Sequence, residues 1–265
     1  MEIIILPTSA EVGRTAAAHI ASLVSRDPSA VLGLATGSSP LGIYAELARG
    51  VELGLIDFGQ ARAFALDEYV GIPLDHEQSY ATVIRTEVVE PLRMNASLVQ
   101  VPDGRAADIE AACDRYEADI VEAGGIDLQI LGIGSNGHIG FNEPTSSFAS
   151  RTRIKTLAPQ TRDDNARFFA SLDEVPSHCV TQGLGTIMAA RHVLLVAQGA
   201  KKADAVAAAI EGPVSSLVPA SILQHHPHAT IVIDEEAASA LTLADYYRYV
   251  YEHKPHWQRV PPLPY

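Results

Sequence analysis

The chain has 265 residues, 47% hydrophobic and 19% charged, so it can bury a large core and is not disordered, collagen-like or a coiled coil. Lys and Arg total 19 against 32 Asp and Glu, and the resulting −13 argues against a nucleic-acid or anionic-membrane partner. Cys113 and Cys179 cannot make a disulfide framework, and their spacing is not that of a metal knuckle. MEIIILPTSAEVGR has no basic start and only a short apolar run. No stretch reaches the roughly 20 apolar residues of a membrane span, so the expectation is a soluble, cytoplasmic protein.

Along the chain, short β-rich runs alternate with amphipathic segments. EIIIL (2–6) precedes a helical pattern from Ser9 to Ser25, and VLGLA (31–35) leads through TGSSP into a helix from Leu41 to Leu53. ARAFALD (61–67) enters a long loop and then a helix at Tyr80–Val89. ASLVQVP (96–102) precedes a helix at Ala106–Ala123, and DLQILGIG (127–134) opens a glycine-rich loop. HVLLVAQ (192–198) is followed by a helix at Ala200–Ile210, and ATIVID (229–234) by one at Glu235–Leu243. No linker or repeat divides the chain, so 1–265 reads as a single domain. Near-continuous apolar strands alternating with helices predict an open, mostly parallel α/β sheet of Rossmann-like architecture, with helices on both faces.

In such sheets ligands bind beyond the carboxyl ends of the strands. TGSSP, Asp67-Glu68-Tyr69 and Gly132–Glu143 each follow a strand, so all three belong to one rim. Thr36, Gly37, Ser38 and Ser39 combine free backbone amides, hydroxyls and a helix start, which suits an anion; the competing reading is a plain strand-to-helix turn. Asp67 is either a solvated cap or a carboxylate whose pKa an apolar strand raises for proton transfer. The loop holding Asn136, His138, Asn142 and Glu143 is harder to explain as packing. Four glycines (132, 134, 137, 140) surround His138, and Glu143 follows five residues later, as a tuned acid/base pair would require.

The few cations are clustered. Arg151, Arg153 and Lys155 share one face if extended, and Arg162, Arg167, Lys201 and Lys202 follow. They mark either a second anion site or a solvated edge. His225, His226 and His228 point in different directions around Pro227 and read as a polar turn, with no metal expected there. The tail VPPLPY reads as a Pro-rich extension.

LGLATGSSPLGIY, FALDEYVGIP with SY just after, LGIGSNGHIGFNEPTSSFASRTRIKTL, TRDDNARFF and QGAKKADAVAAAIEG resemble, in order and spacing, the glucosamine-6-phosphate deaminase family. FNEP is the specific part, because the related 6-phosphogluconolactonases share the glycine-rich loop without it. The resemblance implies conversion of glucosamine 6-phosphate and water to fructose 6-phosphate and ammonia, with no cofactor and no metal. It implies that His138 opens the sugar ring, that Glu143 orients it, and that Asp67 moves the proton between C2 and C1. Position 136 belongs to the ring-opening group; it is Asn here where some members carry Asp. Thr36, Gly37, Ser38, Ser39, Arg167 and Lys202 fall at phosphate-binding positions. Ser146, Arg153, Lys155 and Thr156 match an activator site for N-acetylglucosamine 6-phosphate, which implies an allosteric hexamer. A stretch around 157–185, carrying Arg167, is expected to form a lid.

Two rivals make different demands. A lactonase acting on a phosphorylated sugar acid would use the same loop and histidine but leave Asp67 without a proton to remove. A sugar-phosphate sensor would carry a helix-turn-helix or a basic patch, and the sequence has neither.

Overall fold

The computed structural model describes residues 1–265. Ten strands form two sheets. β1 (Glu2–Leu6), β2 (Val31–Leu34), β3 (Arg62–Ala65), β5 (Val99–Gln100), β6 (Leu128–Leu131), β9 (His192–Ala197) and β10 (Ala229–Asp234) make a seven-stranded sheet in the order β1-β10-β9-β6-β2-β3-β5. Every pairing in it is parallel. β2, β6 and β10 are buried along their whole length, which is why the sequence shows continuous apolar runs rather than alternation.

The helices are α1 (Ser9–Arg26), α2 (Leu41–Glu52), α3 (Tyr80–Ile84), α4 (Ile109–Glu122), α5 (Pro159–Asn165), α6 (Leu184–Met188), α7 (Ala203–Ile210) and α8 (Ala244–Glu252). One apolar core of 61 buried residues joins the large sheet to its helices. From β2 the chain steps outward through β3 to the β5 edge, then returns to place β6 on the other side of β2. The order of connection therefore reverses between β2 and β6, and the rim above that reversal is where an open α/β sheet leaves a crevice.

Several expected elements differ. The run 61–67 is not one strand: it breaks at Leu66, whose N–H still bonds Leu34 O at 2.9 Å. β4 (Asp67–Tyr69) then joins β8 (His178–Thr181) and β7 (Arg153–Thr156) in a second, antiparallel sheet. The helix expected at Ala106 starts at Ile109, because the Asp108 side chain caps it through the Ala111 amide. The helical run after Tyr80 closes in a π-turn at Arg85–Val89, and the run from Ala200 opens in a 3-10 turn. The last helix is displaced: 235–240 are turns, and the helix is α8. Its start is fixed by Glu211, which accepts the Thr242 and Leu243 amides at 2.9 Å each from 31 and 32 residues away.

The Pro-rich tail is docked. Leu263 is buried in the core, and the Tyr265 hydroxyl donates to Glu46 O on α2 at 2.7 Å. His226 spends both ring nitrogens on main-chain partners, Ala190 O and the His228 amide. No helix is long and apolar enough to cross a membrane.

Candidate active site

The cleft above the β2/β6 reversal is lined by Thr36–Ser39, Asp67, Tyr80, His138, Phe141, Thr161, Asp164, Arg167 and Lys202. The three loops read as one rim in the sequence thus converge in space. Thr36–Ser39 lead into α2, with Pro40 at its cap. Arg167 donates to Ser38 Oγ at 3.3 Å, and Gln198 donates to Ser39 O at 3.3 Å. Lys202 closes the 3-10 turn that opens α7. Burial lowers its pKa; Asp164 opposes that effect, and Arg167 adds to it. Hydroxyls, a helix start and two cations thus share one wall of the cleft, an arrangement whose chemistry suits an anion.

His138 is held by a loop folded on itself. The Gly134 amide bonds His138 O at 2.9 Å, and the His138 amide bonds Asn136 Oδ1 at 3.2 Å. A Cβ on Gly134 would stand 2.3 Å from His138 Cε1, so only glycine lets the imidazole lie against this strand of the loop. Gly140 has φ +52° and brings the chain back beside Asp67.

Glu143 is 5% exposed. Its Oε2 accepts the Asn136 side-chain amide at 2.8 Å and stands 3.6 Å from His138 Nδ1; its Oε1 accepts the Ala158 amide at 3.1 Å. Burial alone would raise its pKa. The donors and charge facing it, His138 first, then Thr161 and Asn136, outweigh burial and bring it down to about 2. At 3.6 Å the contact between His138 Nδ1 and the carboxylate is not a formed hydrogen bond.

Asp67 has the opposite environment. Burial first, and the neighbouring Glu68 charge second, push it up to about 8, against the amide of Phe141. The same cleft therefore carries a carboxylate held ionised beside an imidazole and another that binds its proton near neutrality, which is how acid and base tasks are divided between groups of one type.

Glu68 was not singled out by sequence, and it points away from Asp67. It accepts the amides of Tyr69, Tyr80 and Ala81 at 2.7, 3.0 and 2.9 Å, anchoring the start of α3. Tyr80 is thereby set in the cleft wall, stacked on Phe141 with ring centroids 6.0 Å apart. Thr161 and Asp164 of α5 were also missed; Asp164 accepts the Ser135 hydroxyl at 2.9 Å, tying α5 to the histidine loop. Serine before a helix, as at Ser79, was the one local signal for Tyr80, because its side chain caps α3.

Ser146, Arg153, Lys155 and Thr156 lie outside the cleft. Ser146 is buried and donates to Glu143 O at 2.6 Å. Arg153 and Lys155 are half-buried on one face of β7, whereas Ile154 and Thr156 are exposed on the other. Arg151 stands apart from them, paired with Glu117.

A family model described as glucosamine-6-phosphate isomerases/6-phosphogluconolactonase matches residues 8–232. Among similar proteins, a glucosamine-6-phosphate deaminase of Pseudarthrobacter chlorophenolicus is 60% identical over 260 residues, covering 98% of this chain and all of the relative. The glucosamine-6-phosphate deaminase of Streptomyces coelicolor is 56% identical over 261 residues, again covering 98% of this chain and all of the relative. A solved monomeric glucosamine-6-phosphate deaminase superposes with a TM-score of 0.89 at 42% identity, covering 91% of this chain and all of that one. A 6-phosphogluconolactonase from Trypanosoma cruzi reaches a TM-score of 0.73 at 23% identity, covering 91% and 97% of the two chains, a likeness of fold.

Proposed function

The chain belongs to the family of glucosamine-6-phosphate isomerases and 6-phosphogluconolactonases, and from that membership we propose that it is a glucosamine-6-phosphate deaminase. The enzyme converts glucosamine 6-phosphate and water to fructose 6-phosphate and ammonia. The observation that carries this reading is the pair of proton-transfer groups in one cleft, Asp67 on one loop and His138 with Glu143 on another.

In the reaction, the substrate phosphate is held by Thr36, Gly37, Ser38, Ser39, Arg167 and Lys202. His138 hands a proton to the ring oxygen and takes the one on O1, which opens the pyranose; Glu143 orients the imidazole, and Asn136 holds Glu143. Asp67 then takes the C2 proton as His138 returns its proton to O1, giving an enolamine, and Asp67 passes its proton to C1. Water adds to the resulting C2 imine and ammonia leaves, so atoms balance. A carboxylate that binds a proton well above its ordinary range is a stronger base than a solvated one, which suits abstraction from carbon. Sugar-lactone hydrolysis attacks the C1 carbonyl, removes no proton from C2 and would leave Asp67 idle.

Stretch 157–185 is proposed as the lid, within its helical part α5, since Thr161, Asp164 and Arg167 line the cleft. An activator site for N-acetylglucosamine 6-phosphate at Ser146, Arg153, Lys155 and Thr156, a hexamer and a cytoplasmic location complete the proposal. The shared face of Arg153 and Lys155 supports the activator site; the monomeric solved relative makes the oligomer a matter for sedimentation. Activation requires that this ligand bind the active state more tightly.

The test is release of ammonia and fructose 6-phosphate from glucosamine 6-phosphate, with and without the acetylated sugar. Equimolar products are expected, with a sigmoidal saturation curve made hyperbolic by the activator. Folded protein that makes no ammonia would overturn the function; a hyperbolic curve unaffected by the activator would overturn the regulation alone.

A further inference from the structure

At the opposite pole, beneath the amino ends of β1, β9 and β10, two cavities meet at His19, Tyr251, Lys254 and Val260. Their walls depart from the character of the chain. Acids outnumber bases 32 to 19 overall, yet the only carboxylate lining either cavity is Glu2. Glu2 is already engaged, with Lys254 Nζ 2.6 Å from its Oε1. Arg14 and Arg259 line the walls with no carboxylate partner, and His228 and His256 face in from the β10 turn and the tail.

His19 lies at the centre of this arrangement. It is 9% exposed and borders both cavities, and no protein group hydrogen-bonds its ring nitrogens, which are not among the sealed, unpartnered polar atoms of the chain. The His192 ring stands 5.8 Å away, its Nε2 paired with Thr230 Oγ1 at 2.9 Å. An imidazole with no protein partner at the meeting of two basic cavities is free to bond a group that enters them.

We propose that this pole binds a compact oxyanion of the phosphate class between His19, His192 and Lys254. The site is separate from the cleft and does not rest on the deaminase reading. Burial, then the His192 charge, then Lys254 hold His19 down to about 4; burial, then the His226, His228 and Lys254 charges, do the same for His192. An oxyanion supplies the missing counter-charge, so one imidazole takes up a proton as the anion binds.

Sulfate separates this from titration of the ligand, because it stays divalent from pH 5.5 to 7.5. In a titration of the full-length protein followed by histidine ring resonances, sulfate should move His19 and His192 together. Binding should strengthen about tenfold between pH 7.5 and 5.5, the gain expected when one proton is taken up over part of that range. His19→Gln should abolish the response and leave ammonia release unchanged; Lys254→Gln should weaken it. Inorganic phosphate and glycerol phosphate, run in parallel at one pH, distinguish a free anion from an ester. Resonances of His19 that do not move, that move only with those of His138, or a pH-independent affinity would overturn the proposal.

Discussion

Asn136 donates its side-chain amide to Glu143 at 2.8 Å, a bond that an ionised aspartate at this position could not make. Asn136→Asp would place a second carboxylate beside a buried one and remove a donor. With the donor lost, kcat for deamination should fall several-fold, with the reaction retained and the acid limb of the profile, which belongs to Asp67, unmoved. Parent-like kcat would show that Glu143 is governed by its other partners.

Asp67 ties folding to pH through its proton. Its ordinary value is 3.8 and its folded value is about 8, so the folded protein holds a proton that the unfolded chain releases. Stability from this group therefore falls as pH rises through that window and is lowest above about 8. Asp67→Asn removes the penalty. Its Tm advantage over the parent should grow by several degrees from pH 5 to pH 8, while kcat drops by about a thousandfold or more. A Tm difference independent of pH would refute the raised value.

Gly134 leaves room for an imidazole and for nothing else. Gly134→Ala should displace His138 and lower kcat by roughly a hundredfold, with circular dichroism unchanged. Parent-like turnover would mean that the loop shifts at no cost to the chemistry.

The phosphate wall separates binding from chemistry. Arg167→Met should raise KM for glucosamine 6-phosphate by about tenfold or more, with a smaller change for an unphosphorylated amino sugar. Equal losses on both sugars would remove Arg167 from phosphate binding.

Leu263 is an anchor although it lies two residues from the last residue described. Leu263→Ala should cost about 2–4 kcal/mol and lower Tm by several degrees, read by thermal unfolding.

The large sheet was legible because strands such as ATIVID are buried throughout and announce themselves as unbroken apolar runs. The rim was legible for the same reason: TGSSP and the histidine loop interrupt two such runs. The second sheet was not, because β4 and β7 have three and four residues and find their common partner β8 far along the chain. Glu68 looked like part of a charged turn, and only the fold brings the start of α3 to it. The misplaced final helix has the same cause, since its cap, Glu211, lies some thirty residues upstream.

The break at Leu66 also decides where the gene can change length. Asp67 and Glu68 adjoin on one strand, and their side chains leave on opposite faces, one toward the sugar and one toward the start of α3. Inserting or deleting a single codon between Ala65 and Tyr69 would exchange those faces and put the helix anchor where the base belongs. The exposed stretch at 73–75 can take such a change without altering that register. Length variation tolerated after Val70 and lethal before it is the footprint this short strand should leave in any library of indels.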